Sequence, residues 1–278
     1  MHDHTSGAGL SADAILSAPF VFALILYLTG VGIQIHRRGS WPWYRTAAWA
    51  GGIAAAASGF AGPLAASAHG DVVAHMGAHL LVGMVAPVLL VIAAPVTLAL
   101  RSLHVTRARR LSALLRSWPA RFLTLPPIAG VMNVGSMWLL YRTPLYEEMQ
   151  AVMLVHLLVM MHLLVAGYLF TVAIIPTDPA PHRTGYPMRL VVLVAAIAAH
   201  NVLAKSLYAQ PPAGAGLDEG QQAALLMYYG GGVVEIVIIV RLCAQWYRDA
   251  GRDLTRPGSS SAGTASPGRR RGRFPRTS

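Results

Sequence analysis

His75-Met-Gly-Ala-His79 runs without interruption into the apolar segment Leu80 to Leu100. Two histidines four residues apart lie on the same side of a helix, with Cβ atoms about 5–6 Å apart, so a helix beginning near Ala74 aims both imidazoles one way. That is metal-ligand spacing. It is equally the pattern of histidines resting in the wet interface at the end of a membrane helix, and the pair alone does not separate the two readings.

The rest of the chain supplies the context. Over 278 residues, 55% are hydrophobic and only 12% charged, and the mean hydropathy is +0.50; a soluble globular domain is not built this way. A spanning helix needs roughly 20 mostly apolar residues, and seven segments qualify, at about 14–35, 47–66, 77–100, 122–140, 150–175, 189–207 and 222–245. The fold expected is therefore an all-α integral membrane bundle of seven transmembrane helices. Residues 1–13 form an external segment, 14–250 the membrane domain, and 251–278 a disordered basic tail rich in Gly, Ser, Pro and Arg.

The net charge of +11 raises the question of nucleic acid, but the basic residues follow another rule. All Lys and Arg residues except Arg142 and Lys205 fall after the first, third, fifth or seventh predicted span. Basic residues mark cytoplasmic loops, so the N-terminus is expected outside and the C-terminus in the cytoplasm of a bacterial plasma membrane. Orientation and attraction to anionic membrane lipid account for the charge; no nucleic-acid partner is expected. Met1 to Ala12 has no Lys or Arg and so lacks the basic start of a cleavable signal peptide. It is expected to remain outside the membrane.

Cys243 is the only cysteine, which removes disulfides and thiolate zinc sites. Metal chemistry has to use His, Met, Asp or Glu. His69 and Asp71 lead directly to His75 and His79, with Met76 between them, and His2, Asp3 and His4 form a small grip at the N-terminus. In the fifth span Met149, Met153, His156 and Met160 recur at helical spacing, a stripe down one face. Methionine is a common filler of apolar cores; His156 is what sets this stripe apart. His162, His200 and Glu235 stand deeper, and ionisable groups at that depth are expected to face the bundle interior.

Imidazole and thioether ligands without thiolate suit copper, Cu(I) above all. Spacing does not separate an outward-facing copper site from haem held by two histidines, or from a proton path through His162, His200 and Glu235.

The run His75-Met76, His79-Leu80-Leu81, Met84-Val85-Ala86-Pro87 and Ala94-Pro95 resembles the third-helix signature of the CtaG-like cytochrome c oxidase assembly proteins. His162-Leu-Leu-Val-Ala-Gly-Tyr-Leu-Phe170, followed by Pro176, is similar to that family's fifth-helix pattern, and Tyr141 to Tyr146 resembles the segment before it. The resemblance covers all seven predicted spans. It implies a plasma-membrane factor, without catalytic turnover, that helps assemble a haem–copper oxidase by bringing copper to its site. Its partners would be oxidase subunits and a copper donor protein. The stretch Asp218-Glu-Gly-Gln-Gln-Ala-Ala-Leu-Leu-Met227 departs from the family's Asp-Gln pair before a Met, which leaves open a different copper client.

The ligand set expected is His75, His79 and His156, converging if the third and fifth spans are neighbours, with His156 about two turns, roughly 10 Å, below the outer end of its helix. Asp71 and His69 would close the site from the loop. Met76, rotated about 100° from His75, is a weaker candidate, His162 enters through the resemblance, and His200 is a deeper one. The competing functions are a copper or proton-coupled transporter, which would depend on His162, His200 and Glu235, and a haem-binding membrane oxidoreductase.

Overall fold

The computed structural model of the protein describes residues 6–68, 70–179, 183–212 and 214–255. Every regular element among them is helical, as the composition requires. His2, Asp3, His4, His69 and the tail from residue 256 lie outside the described residues.

The first helix, α1 (Ser6–Arg38), is the least enclosed of the long apolar helices, with Val21, Phe22, Ile25 and Leu26 exposed along it. Such an apolar stripe is at home in lipid and not in water. It packs on α2 (Trp43–Ser58), where the absent side chain of Gly52 admits Leu90: a Cβ there would lie 3.0 Å from Leu90 Cγ. α2 ends at Ser58, well before residue 66, because Gly59 to Gly62 turn the chain, Gly62 at φ 89°, into the short α3 (Pro63–Ser67).

The central rod is α4 (Val72–Leu80), a π-helical turn (Leu81–Val85) and α5 (Ala86–Ile92), which together form the most enclosed of the apolar helices. Pro87 has no N–H to give to the Gly83 carbonyl, and the ladder widens to a π turn just before it. The rod stops earlier than the predicted residue 100. Ala94 takes a left-handed conformation (φ 52°, ψ 57°) before Pro95, and α6 (Pro95–Ser102) sets off from there. The first N–H groups of α6 have no helical partner; those of Val96 and Thr97 donate to the Asp178 carboxylate at 3.2 and 2.7 Å. Thr97 Oγ1 donates to it as well, at 2.6 Å. Because the Thr97 N–H is used in this way, the Ala93 carbonyl accepts from Tyr27 Oη of α1 at 2.9 Å.

Two short amphipathic helices follow, α7 (Val105–Leu115) and α8 (Trp118–Leu123), neither with a buried residue. The predicted span 122–140 is three consecutive pieces: α9 (Pro126–Gly130), a second π turn (Val131–Gly135) and α10 (Ser136–Arg142). α11 (Leu145–Ala151) ends at Val152, which is extended (φ −123°, ψ 110°), and α12 (Met153–Ile174) starts afresh. α13 (Tyr186–Ala209) and α14 (Leu217–Thr255) complete the bundle and pack on each other.

Among the described residues, five helices are long and apolar enough to cross a membrane: Ala12–Arg37, Val72–Ile92, Met153–Ile174, Tyr186–Ala209 and Leu217–Arg252. The other two predicted spans are shorter, α2 at 16 residues and the α9–α10 run in its three pieces. α12 crosses the rod closely at Gly167, where a Cβ would come within 2.3 Å of the Gly83 carbonyl oxygen. Arg189, counted in the sequence only as loop charge, is buried, and its guanidinium donates to the Thr184 carbonyl from Nε at 2.9 Å and Nη2 at 2.8 Å.

Candidate functional site

The site begins with the helix that carries both motif histidines. Asp71 caps α4: its Oδ1 accepts from the N–H groups of Val73 (2.7 Å) and Ala74 (3.0 Å), while Glu219 Oε1 of α14 takes the Val72 N–H at 3.0 Å. Those are the orphan donors of a helix start, so α4 is fixed at its tip by its own cap and by a second helix. Asp71 is exposed and serves as that cap.

One turn in, His75 and His79 point into the bundle, and His156 meets them from the first turn of α12. All three are 4% exposed or less. The His75 and His79 rings are 4.2 Å apart between centroids, and those of His75 and His156 are 6.3 Å apart. Tyr146 of α11 lies edge-on to His75 at 5.2 Å, and Tyr141 of α10 lies 5.9 Å from the His79 ring. Met76 and Met149 are buried in the same cluster.

The hydrogen bonds order this group. Tyr141 Oη stands 2.9 Å from His79 Nδ1 and donates to Met76 Sδ at 3.6 Å. The phenol has one proton for two acceptors: given to sulfur, it lets the phenol oxygen accept from Nδ1–H and leaves Nε2 of the neutral imidazole with its lone pair; given to Nδ1, it puts the imidazole proton on Nε2. His79 Nε2 is buried and has no hydrogen-bond partner. A second group that holds one ring nitrogen and thereby exposes the other is how metal-binding imidazoles are oriented. Among the described residues no three or more His, Cys, Asp or Glu side chains are arranged to hold a metal ion. The His75 and His79 imidazoles stand together and the Met76 thioether lies on the Tyr141 hydroxyl beside His79, a nitrogen and thioether set that suits copper.

The methionine stripe is not one face of one helix. The break at Val152 splits it, so Met149 is buried (1% exposed) while Met153, first residue of α12, faces outward at 55%. Met160 is buried farther down, against Ala78 and Val82. His162 is exposed on the outer side of α12, its Nε2 3.4 Å from the Met132 carbonyl. His200 belongs to a separate place, with Nδ1 2.9 Å from Glu235 Oε1, inside ion-pair range although the ring N–H is not aimed at the oxygen.

Sequence reasoning met Tyr141 to Tyr146 only as part of the resemblance and gave neither tyrosine a place in the site; the two flank the short connection between α10 and α11. Burial pushes the Tyr146 phenol above its ordinary value; the hydrogen bond from Gln150 Nε2, at 3.1 Å, opposes this, and the charge on Glu219 adds to it.

Comparison with known proteins gives a consistent answer. A family model described as cytochrome c oxidase caa3 assembly factor (Caa3_CtaG) matches residues 25–249. Uncharacterized proteins of Mycobacterium bovis and Mycobacterium tuberculosis are each 34% identical over 195 residues, 68% of this chain and 30% of theirs. One from Mycobacterium leprae is 30% identical over 160 residues, 52% of this chain and 24% of its own. The chain thus spans less than a third of the length of these curated relatives. No solved structure matches it significantly. With nearly the whole helical bundle covered by one model, the buried histidine pair of α4 included, the chain belongs to the cytochrome c oxidase caa3 assembly factor family.

Proposed function

We propose that this protein assists the assembly of a haem–copper oxidase by holding cuprous copper at the histidine end of its bundle and handing it to an oxidase subunit. One observation carries the reading: the partnerless, buried Nε2 of His79, beside His75 and a Met76 thioether positioned by the same tyrosine. A bare lone pair in an apolar interior costs about 1–3 kcal/mol unless something binds it, and a soft monovalent ion is what two imidazoles and a thioether suit. His75, His79 and Met76 would hold the ion. In this reading Tyr141 holds the tautomer that frees Nε2, and His156, with its ring 6.3 Å from that of His75, is the next imidazole along.

The bundle lies in a bacterial plasma membrane in this reading, with seven spans and the histidine end outside, because the arginine-rich loops gather at the other end. The protein turns over no substrate; copper is its cargo, and the oxidase and a copper donor are its partners. The test is Cu(I) binding by the purified protein, measured against a chromophoric Cu(I) chelator, with oxidase activity in a deletion strain. Replacing His79 by Ala should remove the ion and the mature oxidase while the protein still inserts. Normal copper binding and oxidase maturation in that variant would refute the site, and a Soret band on the purified protein would replace copper with haem.

A further inference from the structure

The two π-helical turns of this bundle lie on different segments, yet both line one small cavity. The turn Leu81–Val85 gives it Met84, and the turn Val131–Gly135 gives it Asn133. Its volume is about 30 Å³, and its walls also include His200, Glu235, Met137 and Thr171. That volume exceeds the roughly 10–15 Å³ one water needs, so a water or a dehydrated small ion fits. π turns are rare and gather at functional sites; two around one cavity are a second, independent pointer.

His200 and Glu235 are buried near the middle of α13 and α14. The chain makes room for the imidazole: a Cβ on Gly231 would lie 2.5 Å from His200 Cε1. His200 Nε2 has no hydrogen-bond partner, and Thr171 Oγ1, which donates to the Gly167 carbonyl at 2.8 Å, keeps its oxygen lone pairs. A carboxylate this deep in an apolar bundle pairs with a positive charge or takes up a proton; His200 Nδ1 stands 2.9 Å from Glu235 Oε1, and while that imidazole is neutral the charge is left to a bound cation. The soft donors are the two thioethers and the imidazole; the carboxylate supplies charge balance.

We infer that this cavity is a second binding site for a single cuprous ion, held by His200 with Met84 and Met137 and neutralised by Glu235. Met137 packs in the same apolar cluster as Met76 and Tyr141, so one core adjoins both sites. The inference rests on the reading that the protein handles Cu(I), and its test separates the two. The full-length protein in detergent is titrated with Cu(I) against a chromophoric chelator, alone and as His79→Ala, His200→Ala, Glu235→Gln and Met84→Leu/Met137→Leu variants. The Leu pair conserves core volume, as Met-to-Leu exchanges do, and so removes sulfur without opening a void.

Wild type should bind two ions, His200→Ala one, and the Leu pair should hold the second at least tenfold more weakly. Glu235→Gln should weaken that ion alone. His79→Ala should lose only the other. A single ion in wild type that His200→Ala leaves in place, or two ions held undiminished by both His200→Ala and the Leu pair, overturns the inference. If His200→Ala loses an ion while His79→Ala loses none, the second site stands and the proposed outer one falls.

Discussion

Tyr141 Oη and His79 Nδ1 lie 2.9 Å apart in the interior, and the same phenol reaches Met76 Sδ at 3.6 Å. One hydroxyl therefore touches both an imidazole nitrogen and a thioether sulfur. Tyr141→Phe keeps the ring and removes both contacts. Cu(I) affinity should fall about 10- to 100-fold, the usual cost of losing a partner behind a metal ligand, with insertion unchanged. Chelator competition on the purified variant measures it, and an unaltered affinity would remove Tyr141 from the account.

The contact of Gly167 with the Gly83 carbonyl gives a sharper structural forecast. Gly167→Ala puts a Cβ 2.3 Å from a backbone oxygen and 2.8 Å from Pro87 Cγ, neither of which is the free end of a flexible side chain. α12 has to move away from the rod that carries His75 and His79, and the melting temperature in detergent should drop by several degrees. Gly232→Ala, with nothing within 4 Å, should be neutral or stabilising by up to about 1 kcal/mol, since alanine is the better helix former. Equal melting of the two variants contradicts the close approach.

Asp178 caps α6 from 81 residues away. Asp178→Ala should cost about 1 kcal/mol, as cap removals do, and should show first as faster hydrogen exchange at the Val96 and Thr97 amides. Protection at those two amides equal to wild type would mean that other acceptors take over.

Alkaline pH tests the burial of Tyr146. A phenol raised in the folded state above its model value of 10.0 keeps its proton after the unfolded chain has begun to lose it. Its contribution is whole below that ordinary value and is lost as pH climbs from there through the raised one. Ultraviolet titration should show the late-ionising phenols fewer by one in Tyr146→Phe. Removing the Gln150 hydrogen bond by Gln150→Met should delay the Tyr146 phenol further, and a shift in the other direction would contradict the donor assigned to Gln150.

The pair on α4 was legible because one unbroken helix carries both members, and a spacing of four then fixes their relative direction. The methionine stripe failed for the matching reason. Periodicity assumes a continuous helix, and a single extended residue, Val152, resets the phase between Met149 and Met153. The cap at Asp178 was illegible because its partner Thr97 is brought near only by the packed bundle. His200 and Glu235 could be read as inward-facing from the cost of charge in lipid; their mutual contact and the π turns beside them follow from helix placement, which no local pattern records. Tyr141 was in view as part of a resemblance, but its role depends on a 2.9 Å contact with a residue 62 positions away.

The left-handed break at Ala94 has a consequence for the order of synthesis. Its Ala93 carbonyl is held by Tyr27, from the first helix, and the amides beyond it by Asp178, from the far side of the fifth predicted span. A ribosome delivers the first partner early and the second only after α12 has been made. Until then nothing draws the Thr97 N–H away from the Ala93 carbonyl, its acceptor in a regular helix, and the outermost helix has no acceptor to grip. Although α1 is made before the rod and before α12, it is thus among the last to be fastened, and chains truncated before residue 178 should leave α1 accessible to protease in the membrane while longer ones protect it.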